Sequence, residues 1–481
     1  ESSECGTPEE LCSGQCGSLE DECGVTQFCG AQCAFGICGD DYAVDVVQHS
    51  STESLYVIGR QCEEDGGCFL RIDRLSSEGE LINQTLLTQA DWFLGQNITT
   101  PTAGAVKGKN LIVVGSTHST SDPNSILRYG FVSLFNIEDL NEPPTLKYNH
   151  RETDASVILD VAIHGSGQPV VAGFLEPDGP DQPKSRDSWA MRYSINGGIS
   201  KNSAWEQNLS FTLDSESCES EGYEDKMVSV EILEGIGNAF LFAGVTHNPE
   251  NDGQVACLVQ MHHSTGLAAG VKQVPLEEGT YNQSIRKMRI KKKLSGKPFE
   301  AILVGSSVEV SEDGNKTPAK AFALPFTFNC NNTSPSNPTI TFSSMSFSAP
   351  LDMDGVPALS DMYDACFTPE NHVLLVGQAS PYLAEDVFDS VPYAIDFLAP
   401  TSEQQLVNKF TYEPTSVMDY DGVTDDRFRS CIMAQSEDTL RLMLVGDIQE
   451  LSAKDAGSDD TLMVDVVPNG NQLDINCSGS P

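Results

Sequence analysis

Two acidic stretches combine closely spaced carboxylates with a Gly turn, an arrangement that suits a bound cation. They are LDMDGVPALSD at residues 351–361 and MDYDGVTDD at residues 418–426. Ca²⁺ prefers hard oxygen ligands around such a turn, so calcium is the metal cofactor that the sequence suggests. The candidate ligands are Asp352, Asp354, Asp419, Asp421 and Asp425. The alternative, which we favour, is that these acids cap turns through Asx hydrogen bonds.

The sequence lacks the short motifs that mark common catalytic sites. It contains no HExxH, G-x-S-x-G, Walker loop or G-x-G-x-x-G. Its eight histidines are scattered, and the one adjacent pair, His262 and His263, would point to opposite faces of a strand. We therefore predict no catalytic residue and expect a protein that is not an enzyme.

One segment is strongly basic within an acidic chain. SIRKMRIKKKLSGK, residues 284–297, holds seven of the 28 basic residues. On a strand, every second side chain of this segment would lie on one face, with Met288 and Ile290 facing the core. We interpret the basic residues as a self-association patch that docks on the acidic face of another copy. The residues assigned to this patch are Lys287, Arg289, Lys291, Lys292 and Lys293. The alternative left open is that they neutralise carboxylates of the same molecule.

The elements that must position these residues are short strands. A hydrophobic run that ends in Gly recurs seven times, as in SLYVIG and NLIVVG. The glycines are Gly59, Gly115, Gly173, Gly244, Gly305, Gly377 and Gly446. Each run is too short for a helix and rich in Val, Leu and Ile, which predicts a buried strand. A short apolar run precedes each glycine, another follows it, and a more polar fourth run often comes next.

Four strands per unit, repeated seven times, predict an all-β fold: a seven-bladed β-propeller of four-stranded blades. Acids that head several first strands would then converge at the mouth of the central channel, as a cation-binding ring or, as we favour, a solvated collar. They are Asp41, Asp154, Asp225, Asp361 and Asp426. The competing interpretation is an array of two or three β-sandwich domains, which would not keep one spacing from Gly59 to Gly446.

One third strand carries a family resemblance. DSWAMRY at residues 187–193, followed by Gly197, resembles the repeats of seven-bladed propellers found in secreted and surface proteins of many microbes. Units two, five and six lack the leading Asp and match poorly. The resemblance covers roughly residues 40 to 479 and implies the propeller fold. It implies little about function, because propellers host enzymes, lectins and scaffolds alike.

The cysteines divide the chain into a Cys-rich module, residues 1–38, and the propeller, residues 39–481. The first 38 residues contain seven cysteines and hardly any apolar residues, so only cross-links could hold them. Their sequence DECGVTQFCGAQCAFGICG resembles small C-G-rich modules of extracellular fungal and protist proteins. Further along, Cys62 and Cys68 flank EEDGG, which predicts a stapled hairpin. The total of 15 cysteines is odd, which leaves a free thiol or a bridge to another chain.

Eight N-x-[ST] sequons indicate a glycoprotein that carries N-linked glycans. They begin at Asn83, Asn97, Asn208, Asn282, Asn315, Asn331, Asn332 and Asn476. No apolar run is long enough to span a bilayer, and the opening residue Glu1 indicates a mature, processed chain. We therefore expect a secreted protein, extracellular or on the cell surface, without membrane insertion.

The charge balance bears on partners and function. Seventy acidic residues against 28 basic ones give a formal net charge of −42, which repels nucleic acid and anionic lipid. The sequence thus predicts a non-enzymatic structural glycoprotein, a building block of an extracellular filament, sheath or matrix. Its partners would be other copies of itself or other matrix proteins. The alternatives are a carbohydrate-binding, adhesive propeller and, less favoured, a propeller hydrolase or lyase.

Overall fold

The computed structural model shows an all-β chain, with no helix among the residues that it describes. The described residues are 18–20, 26–28, 42–62, 68–77, 79–87, 98–118, 128–140, 142, 144–149, 154–165, 167–177, 187–195, 199–201, 207–209, 225–233, 239–248, 253–262, 268–274, 280–291, 299–309, 319–329, 339–343, 346–347, 359–367, 372–380, 382–384, 387–388, 391–398, 406–411, 427–436, 439–450, 458–469 and 472–476.

In chain order the strands are β1 (Ser18–Glu20), β2 (Thr26–Phe28), β3 (Tyr42–Gln48), β4 (Leu55–Cys62), β5 (Cys68–Leu75), β6 (Leu81–Leu87), β7 (Ile98–Lys107), β8 (Asn110–His118), β9 (Tyr129–Asn136), β10 (Thr145–Asn149), β11 (Asp154–Ile163), β12 (Pro169–Pro177), β13 (Asp187–Ser194), β14 (Ser200–Lys201), β15 (Gln207–Leu209), β16 (Lys226–Leu233), β17 (Ala239–Asn248), β18 (Gly253–His262), β19 (Ala268–Gln273), β20 (Thr280–Ile290), β21 (Phe299–Glu309), β22 (Lys320–Asn329), β23 (Thr339–Phe342), β24 (Ser346–Phe347), β25 (Leu359–Phe367), β26 (His372–Ser380), β27 (Tyr382–Ala384), β28 (Val387–Phe388), β29 (Val391–Leu398), β30 (Leu406–Thr411), β31 (Arg427–Ser436), β32 (Thr439–Glu450), β33 (Ser458–Asn469) and β34 (Gln472–Asn476).

The large sheets are antiparallel meanders whose strand order follows the chain. The first has eight strands and contains two meanders, β3 to β6 and β7 to β10, joined by one parallel pair between Cys68 and Ile98. The others are formed by β11 to β15, β16 to β19, β20 to β24, β25-β26-β29-β30 and β31 to β34. Two small sheets, β1-β2 and β27-β28, complete the described strands.

The repeated glycines lie where the second strand of each meander passes a bulge in the first. Gly305 pairs with Ile285, and the adjacent residue of β21 pairs with Lys287, so Arg286 is the extra residue. A Cβ at this glycine would collide with the backbone carbonyl oxygen of Ser284. A first-strand carbonyl oxygen lies no farther than 2.6 Å from a Cβ built at any of the seven glycines. The glycine repeat of the sequence therefore marks a bulge in every first strand.

Gly305→Ala should lower the free energy of unfolding by about 1–3 kcal/mol, the usual cost of overpacking a filled site. Gly165→Ala is the control, because the nearest atom to its Cβ would be Lys107 Nζ at 4.0 Å. Denaturant titration of both variants measures the difference. Equal stability would show that the close approach of the bulge is not what requires the glycine.

The core lies between successive meanders, because one meander cannot cover both of its own faces. One buried cluster joins Val170 of β12 to Phe242 of β17. Another joins Val57 of β4 to Val445 of β32, so the first meander also packs against the last one. Val57, Val114 and Val445, predicted to be buried in second strands, are at most 3% exposed. Burying each such side chain stabilises the fold by about 1.5–3 kcal/mol.

Two disulfides connect described residues. The predicted bridge between Cys62 and Cys68 closes the β4-β5 hairpin. The second joins Cys366 on β25 to Cys431 on β31, a pairing that the sequence left open. Of residues 1–38 the structure describes only the β1-β2 hairpin, so the separate Cys-rich module stays a prediction. In the described segments no helix has the length and apolar character to cross a membrane.

Candidate active site

The bulges bring one extra side chain from each first strand to a common cavity. In a bulge two consecutive residues oppose one residue of the partner strand, which re-aims their side chains. The extra residues are Val44, Thr102, Leu159, Val228, Arg286, Tyr363 and Arg429. All of them line one cavity of about 390 Å³, a volume typical of small-molecule sites.

The residue after each bulge forms a second ring, whose aspartates tie neighbouring first strands together. The ring consists of Asp45, Ala103, Asp160, Ser229, Lys287, Asp364 and Ser430. Asp160 accepts hydrogen bonds from the backbone N–H of Val161 in its own strand and of Val230 in β16, both at 2.9 Å. Asp45 and Asp364 make the same two kinds of bond. These buried acids therefore have a structural role.

Lys287 and Arg289 place positive charge among these aspartates. Lys287 Nζ lies 2.7 Å from Asp160 Oδ1, and Arg289 donates two hydrogen bonds to Asp364 at 2.8 and 2.7 Å. Burial alone would raise the pKa of Asp364, but the charge and hydrogen bonds of Arg289, with the charge of Lys287, hold that pKa below its usual value. The deep part of the cavity is thus an internally paired network.

These contacts involve the residues assigned to the self-association patch, which stays a prediction. Lys287 and Arg289 have side chains that are 13% and 27% exposed and bind Asp160 and Asp364 respectively. Lys291 binds Glu300 at 3.0 Å. Outside the described residues lie Lys292 and Lys293. For the three described cations, the structure shows the alternative, neutralisation within the molecule.

Glu231 stands in the same network with a perturbed pKa. Its Oε1 lies 3.9 Å from Arg289 Nη1. Burial raises the pKa of Glu231 to about 7; the charges of Asp160 and Asp364 act in the same direction, while Arg289 and Lys287 oppose it. This carboxyl therefore exchanges its proton near neutral pH.

Glu231→Gln should flatten the pH dependence of stability between about pH 5 and about pH 8. Because the folded pKa is raised, the contribution of Glu231 is complete below its unfolded pKa and is lost as the pH rises through about 7. At about pH 8 the variant should be more stable than the wild type by up to about 3 kcal/mol, and at about pH 4, below the unfolded pKa, the two should agree. Denaturant titrations at both values measure this. Parallel curves for the two proteins would mean that Glu231 keeps an ordinary pKa.

Tyr363 is held between two arginines at the cavity. Arg286 has its guanidinium carbon 5.0 Å from the Tyr363 ring centroid and donates to Asp361 Oδ2 at 2.9 and 2.6 Å. Arg427 donates to the Tyr363 hydroxyl at 3.3 Å, and its guanidinium carbon lies 5.8 Å from the same ring. A hydroxyl that could move a proton is therefore fixed beside two cations.

Arg429 adds a third guanidinium. It binds the buried carboxylate of Asp447, which Arg427 Nε also binds at 3.0 Å. The guanidinium carbon of Arg429 lies 4.6 Å from the Tyr42 ring centroid, and that of Arg60 lies 4.5 Å from it. Two arginines thus bind one carboxylate, and these three groups together carry net positive charge.

The cavity concentrates cations in a protein whose formal net charge is −42. Its lining holds four cations, Lys226, Arg286, Lys287 and Arg429, against two acids, Asp45 and Asp364. Burial works against the charge of Arg286, but the neighbouring Asp361 carboxylate outweighs it and raises the pKa of Arg286. Guanidinium groups present paired donors that match a carboxylate. The arrangement therefore fits an anionic ligand with a reactive position near Tyr363.

Two residues at this site were named from the sequence, Asp361 at a channel mouth and Lys287 in the self-association patch; Lys287 lines the cavity. Asp361 lies beside the cavity, where it binds Arg286. Tyr363 and the arginines were not singled out. The available signal was an apolar residue, any residue and then Asp, which recurs in the first strands as AVD, ILD and MYD. Aligning the units on that Asp would have placed Tyr363 in the series of extra residues.

Many of the other predicted site residues fall outside the described part of the chain. Outside it lie all five calcium candidates, Asp352, Asp354, Asp419, Asp421 and Asp425. Within it, no group of three or more potential metal ligands occurs. The sequons on described strands begin at Asn83, Asn208, Asn282 and Asn476. The sequons outside them begin at Asn97, Asn315, Asn331 and Asn332.

Comparison with known proteins identifies a likeness of fold. No family model and no curated protein matches the sequence. A protein of unknown function from Dyadobacter fermentans is 12% identical, with a TM-score of 0.42 over 89% of this chain and 96% of the other. The polysaccharide lyase Uly1 is 9% identical, with a TM-score of 0.43 over 89% and 90%. The phage phi92 endosialidase is 9% identical, with a TM-score of 0.41 over 91% and 69%. The protein has an all-β, propeller-like fold.

These findings correct the functional prediction. The solved structures with which this fold aligns include the polysaccharide lyase, the endosialidase, an exo-1,5-alpha-L-arabinanase and a beta-xylosidase, all of them enzymes. The prediction of a non-enzymatic structural protein, and with it the prediction of no enzymatic activity, is therefore wrong.

Proposed function

We propose that the chain forms a closed propeller of seven blades, one for each meander. The support is that all seven extra bulge residues line one cavity and that the first and last meanders share a buried cluster. Ser430 on β31 adds a polar link, with its Oγ 2.9 Å from Asp45 Oδ1 and 2.8 Å from Asp364 Oδ2. The cavity would then be the widened end of the central channel.

We further propose that the protein is an enzyme that cleaves a polysaccharide bearing carboxylates. The observation that carries this proposal is Tyr363, fixed between Arg286 and Arg427 at a cationic cavity of a strongly acidic protein. An acidic surface repels an anionic polymer everywhere except at such a cavity, so the polymer would be held where the reactive group is. The activity thus belongs to the hydrolase or lyase class.

Within that class the residues favour elimination. Hydrolysis of a glycoside commonly needs two carboxyl groups, one to donate a proton and one to activate water or attack. Asp361 and Asp447 are the carboxylates described beside Tyr363, and each is bound by arginine. Burial raises the pKa of Asp361 against the opposing charge of Arg286, but guanidinium donors engage both carboxylates, so neither is free to meet water or a glycosidic oxygen. Glu231 lies against Arg289 and is not among the residues that line the cavity, so Tyr363 is the remaining proton-transfer group beside Arg286 and Arg427.

The elimination would proceed in one balanced exchange. Arg286 and Arg429 bind the sugar carboxylate and neutralise the charge that develops when the neighbouring carbon loses its proton. The Tyr363 oxygen takes that proton as its hydroxyl gives one to the leaving oxygen. The C–H electron pair forms a carbon–carbon double bond, the glycosidic C–O bond breaks, and the leaving oxygen takes the proton from Tyr363. One chain end becomes an unsaturated uronate and the other an alcohol.

A polymer panel tests this function. The full chain is incubated with pectate, alginate and hyaluronan, and with neutral xylan and arabinan as matched controls. We expect ultraviolet-absorbing unsaturated ends from at least one uronate polymer and none from the neutral ones. New reducing ends without that absorbance would replace elimination by hydrolysis. Cleavage of the neutral polymers alone would overturn the assignment of an anionic substrate.

We also propose a cellular location for this activity. Structural disulfides such as Cys62–Cys68 and Cys366–Cys431 are typical of oxidising compartments, where an enzyme would meet polymeric substrates. We propose secretion with N-linked glycans, for which Asn83 on the outer strand β6 is the best placed described sequon. Calcium and any partner protein, whether another copy or a matrix component, remain proposals on the same footing.

A further inference from the structure

Tyr363 and two arginines of the candidate site lie on two strands that share no backbone hydrogen bonds of a sheet. Tyr363 lies on β25, while Arg427 and Arg429 lie on β31. These strands begin different sheets, β25-β26-β29-β30 and β31 to β34, so no backbone pairing sets their relative position. Their register depends on side-chain contacts alone, such as the bond from Arg427 to the Tyr363 hydroxyl.

A covalent bond crosses this gap beside the site. The disulfide between Cys366 and Cys431 joins β25 to β31, with a Cα–Cα distance of 6.0 Å. Cys366 follows Tyr363 by three residues and Cys431 follows Arg429 by two. The backbone N–H of Cys431 also lies 3.3 Å from Asp364 Oδ2. The disulfide therefore lies beside one of the hydrogen bonds through which the buried aspartates connect neighbouring first strands.

We propose that the Cys366–Cys431 disulfide is a positioning bond for the candidate site. By fixing β31 against β25 it keeps the guanidinium groups of Arg427 and Arg429 at their distances from Tyr363. The proposal rests on the proposed function for its kinetic readout. Its physical reason is that proton transfer and charge neutralisation both depend steeply on geometry, so a displacement of about 1 Å is enough to slow a reaction.

The same chain supplies a matched control. Cys62 and Cys68 form the other described disulfide, with similarly buried cysteines, but it links two strands that are already paired within one sheet. Removing the Cys62–Cys68 bond also eliminates one disulfide, but it does not release one sheet from another. A purely stabilising role of the Cys366–Cys431 bond would affect unfolding but not the reaction of molecules that remain folded.

The test compares C366A/C431A with C62A/C68A at a temperature where both are fully folded. We expect the first variant to lose about three- to tenfold in kcat/KM, mainly through kcat, and to exchange backbone hydrogens faster in residues 427–436. The control should match the wild type in both measurements. Unchanged kinetics and unchanged exchange in C366A/C431A would overturn the proposal, and so would equal losses in the two variants.

Two further readouts keep the test decisive. Should C366A/C431A not fold, the folded wild type is reduced in steps, and mass spectrometry assigns which bridge has opened as activity is followed. Should the wild type cleave no polymer, the proposed function fails, yet hydrogen exchange and binding of free glucuronate still compare the two variants. Faster exchange and weaker glucuronate binding only in C366A/C431A would support the positioning bond; no difference would overturn it.

Discussion

Replacing Tyr363 with phenylalanine should reduce kcat on a uronate polymer by about 10²- to 10⁴-fold, the usual contribution of a positioned proton-transfer group. The variant keeps the ring that packs beside Arg286 and loses the hydroxyl that accepts from Arg427. Carboxylate binding should therefore survive, and KM should stay within about threefold of the wild-type value. Initial rates of formation of the unsaturated product, measured over a range of polymer concentrations, separate the two parameters.

The control for this substitution is Tyr56→Phe. Tyr56 is fully buried, and within the described part of the chain its hydroxyl has no hydrogen-bond partner. It lies in another meander, on β4, so its variant should retain full activity. A Tyr363→Phe enzyme with wild-type kcat would remove Tyr363 from the reaction and leave the arginines as a binding site only.

The strand repeat could be predicted from the sequence because its cause is local. A second strand buried on both faces must be apolar, and it must carry a glycine where the bulge of the first strand approaches. Both requirements determine the types of consecutive residues. The seven strands and the burial of Val57, Val114 and Val445 could therefore be predicted from the local sequence.

The site could not be predicted in the same way because its contacts join distant positions. Arg286 meets Asp361 and Arg289 meets Asp364 across 75 residues, and no local pattern connects such partners. The basic segment shows the difficulty. Strand alternation correctly grouped Lys287 with Arg289 and placed Met288 in the core. Alternation separates two faces of a strand, but it does not tell which face meets bulk water and which meets a cavity.

The charged side chains at the cavity fall into two groups with different roles. Asp45, Asp160 and Asp364 bind backbone amides of adjacent first strands, so they fix the frame. Lys287 and Arg289 form ion pairs with Asp160 and Asp364 in that network. Arg429 belongs to a different group, because it shares the carboxylate of Asp447 with Arg427. Its charge is therefore the one best placed to act on a ligand.

Arg429→Gln should accordingly raise KM for a uronate polymer by about 10- to 100-fold, the worth of one hydrogen bond to a charged group. The substitution leaves Asp447 bound to Arg427 Nε at 3.0 Å, so no buried carboxylate is stranded and the fold should persist. Lys272→Gln removes the same charge from an exposed position on β19 and should leave KM unchanged. Wild-type KM should also rise with salt, and the Arg429→Gln value should rise less steeply, because screening then has one charge fewer to act on. An equal increase in KM for both variants would mean that the polymer responds to the overall charge of the protein and not to the cavity.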